Sequence, residues 1–208
     1  MSQAELTREV ARRVFASEFN DSTYTFKESD DDRAPNYALL PTGDRANRVF
    51  VVGTLTETED VGDDSEYWRG RIVDPTGTFF VYAGQYQPEA ASTLRETEPP
   101  AYVAAVGKPR TYEPEEGTVN VSLRPESIAV VDDDVRDRWV VETAERTLER
   151  IEEFEAWKAE QEAPESASTV PSNEYAEMAR ERYDSPVENY RRDVIQALES
   201  LEQTEATA

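Results

Sequence analysis

Two hydrophobic rhythms divide this chain. Between residues 48 and 131 apolar side chains tend to alternate with polar ones; on either side they recur every three or four positions. Alternation marks half-buried strands, and the longer period marks amphipathic helices. The spacing predicts a helix over 2–19, with Leu6, Val10 and Val14, joined by Ala11 and Phe15, on one face. Ser2 and Glu5 have the spacing of a capping box. Residues 20–47 read as a polar connector with turn signals at Pro35-Asn36 and Pro41-Thr42-Gly43. Within it, Tyr37 to Leu40 make a short strand or a docked plug.

Strands are then predicted over 48–59, 67–74, 78–84, 100–113 and 118–131. The second and third join through Pro75-Thr76-Gly77, a tight-turn signal, as a hairpin. Pro88 opens a short helix to Thr97 between the third and fourth strands. Gly107 and Pro109 are expected to break the fourth strand, and Pro125 to bend the fifth. A long helix over 134–160 follows, with Asp132, Asp133 and Asp134 placed where unpaired N–H groups favour carboxylates. Residues 161–172 read as a linker of Pro, Ser, Ala and Thr. Helices over 173–183 and 186–202 close the chain, the second with Ser185 as cap and Val187, Tyr190, Val194, Ala197 and Leu201 in a stripe.

Five strands with a helix between the third and fourth is the element order of an OB-fold, a small Greek-key barrel. The expected architecture is mainly β with flanking helices. It comprises a five-stranded OB-fold Greek-key barrel, an N-terminal helix, a long helix after the barrel and a C-terminal helical hairpin. The corresponding segments are 1–47, 48–131, 132–160, 161–172 and 173–208.

Charge sharpens this picture. The chain carries a net charge of −23, with 45 acidic against 22 basic residues. Only Lys27, Lys108 and Lys158 are lysine. So large a charge self-repels, and salt relieves it by screening. Acid-rich, lysine-poor and cysteine-free, the chain fits a cytoplasmic protein of a high-salt organism. No apolar run approaches the roughly 18 residues that would span a membrane.

The stretch from Tyr67 to Tyr112 departs from this. There Arg69, Arg71, Arg95, Lys108 and Arg110 stand against only Asp74, Glu89, Glu96 and Glu98. Eight aromatic residues are interleaved with them: Tyr67, Trp68, Phe79, Phe80, Tyr82, Tyr86, Tyr102 and Tyr112. Aromatic faces stack on unpaired bases, and arginines hold phosphates. With Ile72 inside the barrel, Trp68 is inside too, and Arg69 and Arg71 face out. In the third strand Phe80 and Tyr82 are the expected outer pair. The candidate nucleic-acid contacts are Arg69, Arg71, Phe80, Tyr82, Tyr86, Lys108, Arg110 and Tyr112. Arg124 is a further cation able to meet a phosphate.

The absence of histidine and cysteine removes the commonest general base, the commonest zinc ligand and thiolate sites. No P-loop or nucleophile elbow occurs. Neither an enzyme nor a cofactor or metal site is expected. On the long helix, Trp139, Val141, Ala144, Leu148, Ile151, Phe154 and Trp157 offer more apolar surface than one barrel end needs. Such stripes mark partner surfaces. The 186–202 stripe reads equally as a partner helix or an intrachain one.

Three segments carry a family resemblance: R-V-F-V-V-G-T-L-T (48–56), R-I-V-D-P-T-G (71–77) and P-N-Y-A-L-L-P-T-G (35–43). With the aromatic third strand and the long helix after the barrel, the chain resembles the haloarchaeal replication protein A-associated proteins. These are similar to the middle subunit of eukaryotic replication protein A. The resemblance spans 1–160 in organisation and is strongest over 35–131. It implies a subunit of a single-stranded DNA-binding complex in replication, repair and recombination. It also implies that the helix after the barrel docks on a larger partner subunit in a hetero-oligomer. An adaptor whose barrel binds no nucleic acid is the rival reading, and the net charge speaks for it.

Overall fold

A computed structural model describes residues 9–31, 34–162, 173–183 and 186–205. Its centre is a closed barrel of five strands: β5 (Val49–Asp60), β6 (Trp68–Asp74), β7 (Gly77–Ala83), β8 (Ala101–Glu115) and β9 (Thr118–Val130). They pair in the circular order β5-β6-β7-β9-β8, and β8 returns to β5. All pairings are antiparallel except β7 with β9, where Val81 meets Leu123. This is the OB-fold expected from the element order, and α2 (Pro88–Glu96) lies between β7 and β8 as expected.

Alternation fixes the two faces of the wall. Ile72, Phe79, Val81, Val103, Ala105 and Leu123 are fully buried. Across the hairpin, Arg69 lies opposite Tyr82 and Arg71 opposite Phe80 on the outer face. Trp68 packs partly buried against the core. Gly107 and Pro109 do not break β8, which continues to Glu115. A bulge between Val106 and Gly107 absorbs the irregularity and sets Gly107 opposite Pro125. A Cβ at Gly107 would collide with the Arg124 carbonyl oxygen and the Pro125 Cα, so glycine lets the strands close there. The β8–β9 hairpin then turns at Gly117, whose φ of +84° suits glycine.

The N-terminal region differs from the helix expected over 2–19. Residues 1–8, with the Ser2–Glu5 box, lie outside the described residues. Beyond them, Arg12–Arg13 form β1, paired parallel to Val49 and Phe50 at the edge of β5. The helix α1 occupies only Ala16–Asp21. Val10 is 86% exposed, whereas Val14, Phe15, Ala16 and Phe19 enter the core. The apolar spacing was real, but an open sheet edge captured its backbone. The connector holds a second sheet of β2 (Thr25–Lys27), β3 (Asn36–Leu39) and β4 (Arg45–Ala46). Tyr37–Leu39 therefore belong to a strand rather than a plug.

Asp74 ties α1 to the hairpin. Its carboxylate accepts from Ala16 N (2.8 Å), Thr76 N (2.7 Å), Thr76 Oγ1 (2.9 Å) and Gly77 N (2.9 Å). Burial nevertheless pushes its pKa up to about 6, against the pull of those donors. The folded chain thus holds this proton more tightly than the unfolded one. The resulting stability is present below the ordinary value of 3.8 and is lost as pH rises through about 6. Between pH 4 and pH 7 the wild type should lose on the order of 3 kcal/mol relative to Asp74→Asn. Urea titrations of both proteins across that range at fixed salt check this.

Three helices follow the barrel: α3 (Asp133–Gln161) packs on β5 and β8, α4 (Glu174–Arg182) on β3, and α5 (Val187–Glu205) on α3, with its Gln196 reaching the Pro75 carbonyl at the β6–β7 turn. Asp132 caps α3, accepting from Val135 N at 3.0 Å. Trp139 meets Phe15 edge-on at 5.6 Å and donates its indole N–H to the Phe50 carbonyl at 3.0 Å. Phe154 and Trp157 join Leu39, Ala176 and Ala179 in a second core beneath the small sheet. Tyr190, Val194 and Ala197 are buried, so the 186–202 stripe is intrachain. Ser185 and residues 163–172 lie outside the described residues.

Buried inside this layer is one ion pair. Arg150 donates to Glu18 at 2.5 Å, to Thr42 at 3.0 Å and to Thr147 at 3.2 Å. Other pairs are mostly surface ones, such as Arg95 with Glu66 at 3.1 Å and Arg146 with Glu149 at 2.6 Å. Such pairs add little, while the −23 charge opposes compactness. The melting temperature should rise as KCl goes from about 0.1 to 1 M, where the Debye length falls from roughly 10 to 3 Å. Thermal scans by circular dichroism across the series test it.

Candidate nucleic-acid interface

The outer face of β6 and β7 continues onto the β8–β9 hairpin. Alternation makes Lys108, Arg110 and Tyr112 point outward from β8, beside Arg124, Ser122 and Asn120 of β9 respectively. Two adjoining grooves of about 510 and 440 Å³ run along this surface. The first is lined by Tyr67, Tyr82, Gln87, Arg110, Tyr112 and Arg124. The second is lined by Arg69, Phe80, Tyr82, Tyr112, Val119 and Asn120. Tyr82, Tyr112 and Ser122 belong to both, which makes one continuous trough.

The trough floor is aromatic. Tyr67 and Tyr82 stack with centroids 5.9 Å apart and planes at 22°. Tyr112 stands half-exposed beside them, and Phe80 extends the surface along β7. Burial raises the Tyr82 phenol pKa, and the neighbouring Tyr112 adds to this while Arg69 opposes it. Tyr82 thus stays neutral and presents its ring at neutral pH.

The cations around the floor differ in their state. Arg69 is held by Glu59 at 2.6 Å and lies 3.6 Å from Glu57. Among the described residues, Arg71, Lys108, Arg110 and Arg124 make no ion pair with a carboxylate. Burial, with the nearby Arg124 charge, lowers the Arg110 pKa. The first inter-strand loop, 61–66, flanks Tyr67; there Asp60 accepts from Gly62 N and Tyr67 N, both at 3.1 Å. These bonds hold the Asp60 carboxyl below its usual range.

Of the residues picked from sequence, the structure brings Arg69, Phe80, Tyr82, Arg110 and Tyr112 to the trough. Lys108 and Arg71 share its face without lining it. Tyr86 lies past the end of β7, 84% exposed, away from the lining. Arg124, the further cation expected from the sequence, also lines the trough, whereas Tyr67, Gln87 and Asn120 are lining residues the sequence reading did not pick as contacts. The β8–β9 register, which sets Asn120 opposite Tyr112, is the signal that would have found Asn120.

The expected partner surface on α3 is corrected. Trp139, Ala144, Ile151, Phe154 and Trp157 are buried within this chain, and Leu148 is partly buried against the same core. The barrel, β3, α4 and α5 consume that seam. Of the set only Val141 is well exposed, at 42%.

The barrel and its trough define an OB-fold protein. A similar arrangement occurs in a chain of the S. pombe Stn1–Ten1 complex, at 12% identity over 69% of this chain and 96% of that one, with a TM-score of 0.54. At that identity the likeness is one of fold. Asparaginyl-tRNA synthetase from Pyrococcus horikoshii aligns at 12% identity over 59% of this chain and 24% of its own, with a TM-score of 0.39. OBody AM2EP06, solved bound to hen egg-white lysozyme, aligns at 16% over 41% of this chain and 80% of its own, with a TM-score of 0.33. No family model and no curated protein matches the sequence.

Proposed function

We propose that this chain binds single-stranded DNA along the trough, as a non-enzymatic subunit of a replication protein A-type complex in a high-salt cytoplasm. One observation carries the reading. In a chain of net charge −23, a continuous aromatic floor of Tyr67, Tyr82 and Tyr112 adjoins cations without carboxylate partners. Stacking is tolerant of sequence and survives salt, whereas phosphate attraction fades with it. Bases on the tyrosines would supply most of the affinity at high salt. The complex assigned here, with its role in replication, repair and recombination, follows the resemblance of 35–131 to the haloarchaeal family.

Val141, Ile195 and Leu198 remain exposed on the α3–α5 layer, away from the buried seam. They favour a second role for the same subunit, docking on a larger partner through the outer side of that layer. This is where an adaptor that binds no DNA would work.

The test is a competition in about 2 M KCl, where charges are screened within a few ångströms. A fluorescent single-stranded oligonucleotide bound by the chain should be displaced by unlabelled single strand and not by duplex of the same sequence. Equal displacement by duplex, or no binding, would remove the stacking reading.

A further inference from the structure

Two transverse rows cross the outer wall from β5 to β7. Glu59 lies opposite Arg69, which lies opposite Tyr82. One outward position along, Glu57 lies opposite Arg71, which lies opposite Phe80. Each row thus runs carboxylate, guanidinium, aromatic ring. The Arg69 guanidinium draws on both carboxylates, at 2.6 Å from Glu59 and 3.6 Å from Glu57.

The acid is placed selectively. The chain holds 45 carboxylates, yet among the described residues none lines either groove of the trough. The only acid on β6 and β7 is Asp74, which is buried. On β5 the exposed carboxylates of Glu57 and Glu59 stand with β6 between them and the rings. Asp60, next along, is turned into the loop, where it accepts from Gly62 N and Tyr67 N. Exposed ion pairs add little to stability, so the fold gains little from these rows. A bound polyanion would feel them more. At about 0.1 M salt a charge reaches only roughly 10 Å, so nearby carboxylates outweigh the distant bulk of the net charge.

We infer that Glu57 and Glu59 set the selectivity of the trough for single strands, by occupying Arg69 and repelling phosphate along the β5–β6 flank. This role rests on the trough reading and gives it a means of rejecting duplex. A duplex hides its base faces and is held through its phosphates. A single strand offers base faces to the rings and is flexible enough to turn its phosphates away from β5. The two glutamates therefore cost a duplex more than a single strand. Two carboxylates about 6 Å from a phosphate lower affinity roughly tenfold in water-like surroundings.

The full chain carrying Glu57→Gln/Glu59→Gln tests this against a control with the same charge change, Glu145→Gln/Glu152→Gln on α3. All four positions are exposed, so both variants should fold normally, as circular dichroism would show. Anisotropy of labelled duplex and of labelled single strand is followed from about 0.1 to 1 M KCl. At about 0.1 M the β5 variant should bind duplex roughly tenfold more tightly than the wild type, with a smaller gain for single strand. The gain should fade towards about 1 M, where the Debye length is near 3 Å. The α3 control should match the wild type. Duplex affinity unchanged in the β5 variant, an equal gain for single strand, or an equal gain in the control would overturn this role. The duplex arm does not depend on the tyrosines. A β5-specific gain for duplex in a chain that binds no single strand at any salt would refute the trough reading and leave Glu57 and Glu59 as a barrier to phosphate.

Discussion

Replacing Arg150 with methionine should destabilise the fold by about 3–5 kcal/mol, the range for a buried ion pair that loses one partner. The physical reason lies in Glu18, which is 1% exposed and accepts from both Arg150 and Thr42 at 2.5 Å. Without the guanidinium its charge would stay buried with a single hydroxyl to solvate it. Arg150 also donates to the Arg13 carbonyl at 3.3 Å. One side chain thus joins β1, α1, the Thr42 turn and α3. Replacing both partners together, as Glu18→Leu/Arg150→Met, should recover much of the loss, because the double change removes the buried charge too. Urea denaturation at fixed KCl measures both variants against the wild type. A loss below about 1 kcal/mol in Arg150→Met would show that the pair behaves as a surface one. The trough lies elsewhere, so the folded fraction of the single variant should still bind its strand.

Tyr82→Ala/Tyr112→Ala should weaken single-strand binding by about 2–6 kcal/mol, since each stacked base is worth roughly 1–3 kcal/mol. That is about thirtyfold at the least. Both line the two grooves, and Tyr82 carries the larger share because it also stacks on Tyr67. Both residues are on the outer wall, so the loss should come without a matching loss of fold, as circular dichroism would show. The deficit should persist at high salt, where phosphate attraction has faded. A deficit that vanishes above about 1 M KCl would mean that the tyrosines act only by placing charges.

How much of this was legible depends on the length of the element. The barrel strands run 7 to 15 residues and alternate, so faces and order followed from the sequence. Arg69, Arg71, Phe80 and Tyr82 were placed outward on alternation alone, and the register agrees. Strands of two to four residues, such as Thr25–Lys27 and Arg45–Ala46, carry too few positions for a period to appear. The α3 seam was visible as apolar spacing, yet spacing does not say what covers it. Here α4 and α5 fold back over it, so a stripe read as a partner surface is core. Polar roles were the least legible. Glu18 and Arg150 are 132 positions apart, and nothing local marks them as a pair. The same holds for Glu59, which was invisible as a rival to phosphate at Arg69 until β5 and β6 were paired.

The central claim is that unpaired bases lie on the tyrosine floor. Amide chemical-shift mapping of the 15N-labelled chain tests it most directly, with a short oligothymidine added in about 2 M KCl to screen nonspecific contacts. The account predicts shifts confined to Tyr67–Arg69, Phe80–Tyr82, Arg110–Tyr112 and Asn120–Arg124, with α3 and α5 unmoved. Shifts on α3 and α5 alone, or no shifts at saturating oligonucleotide, would contradict it.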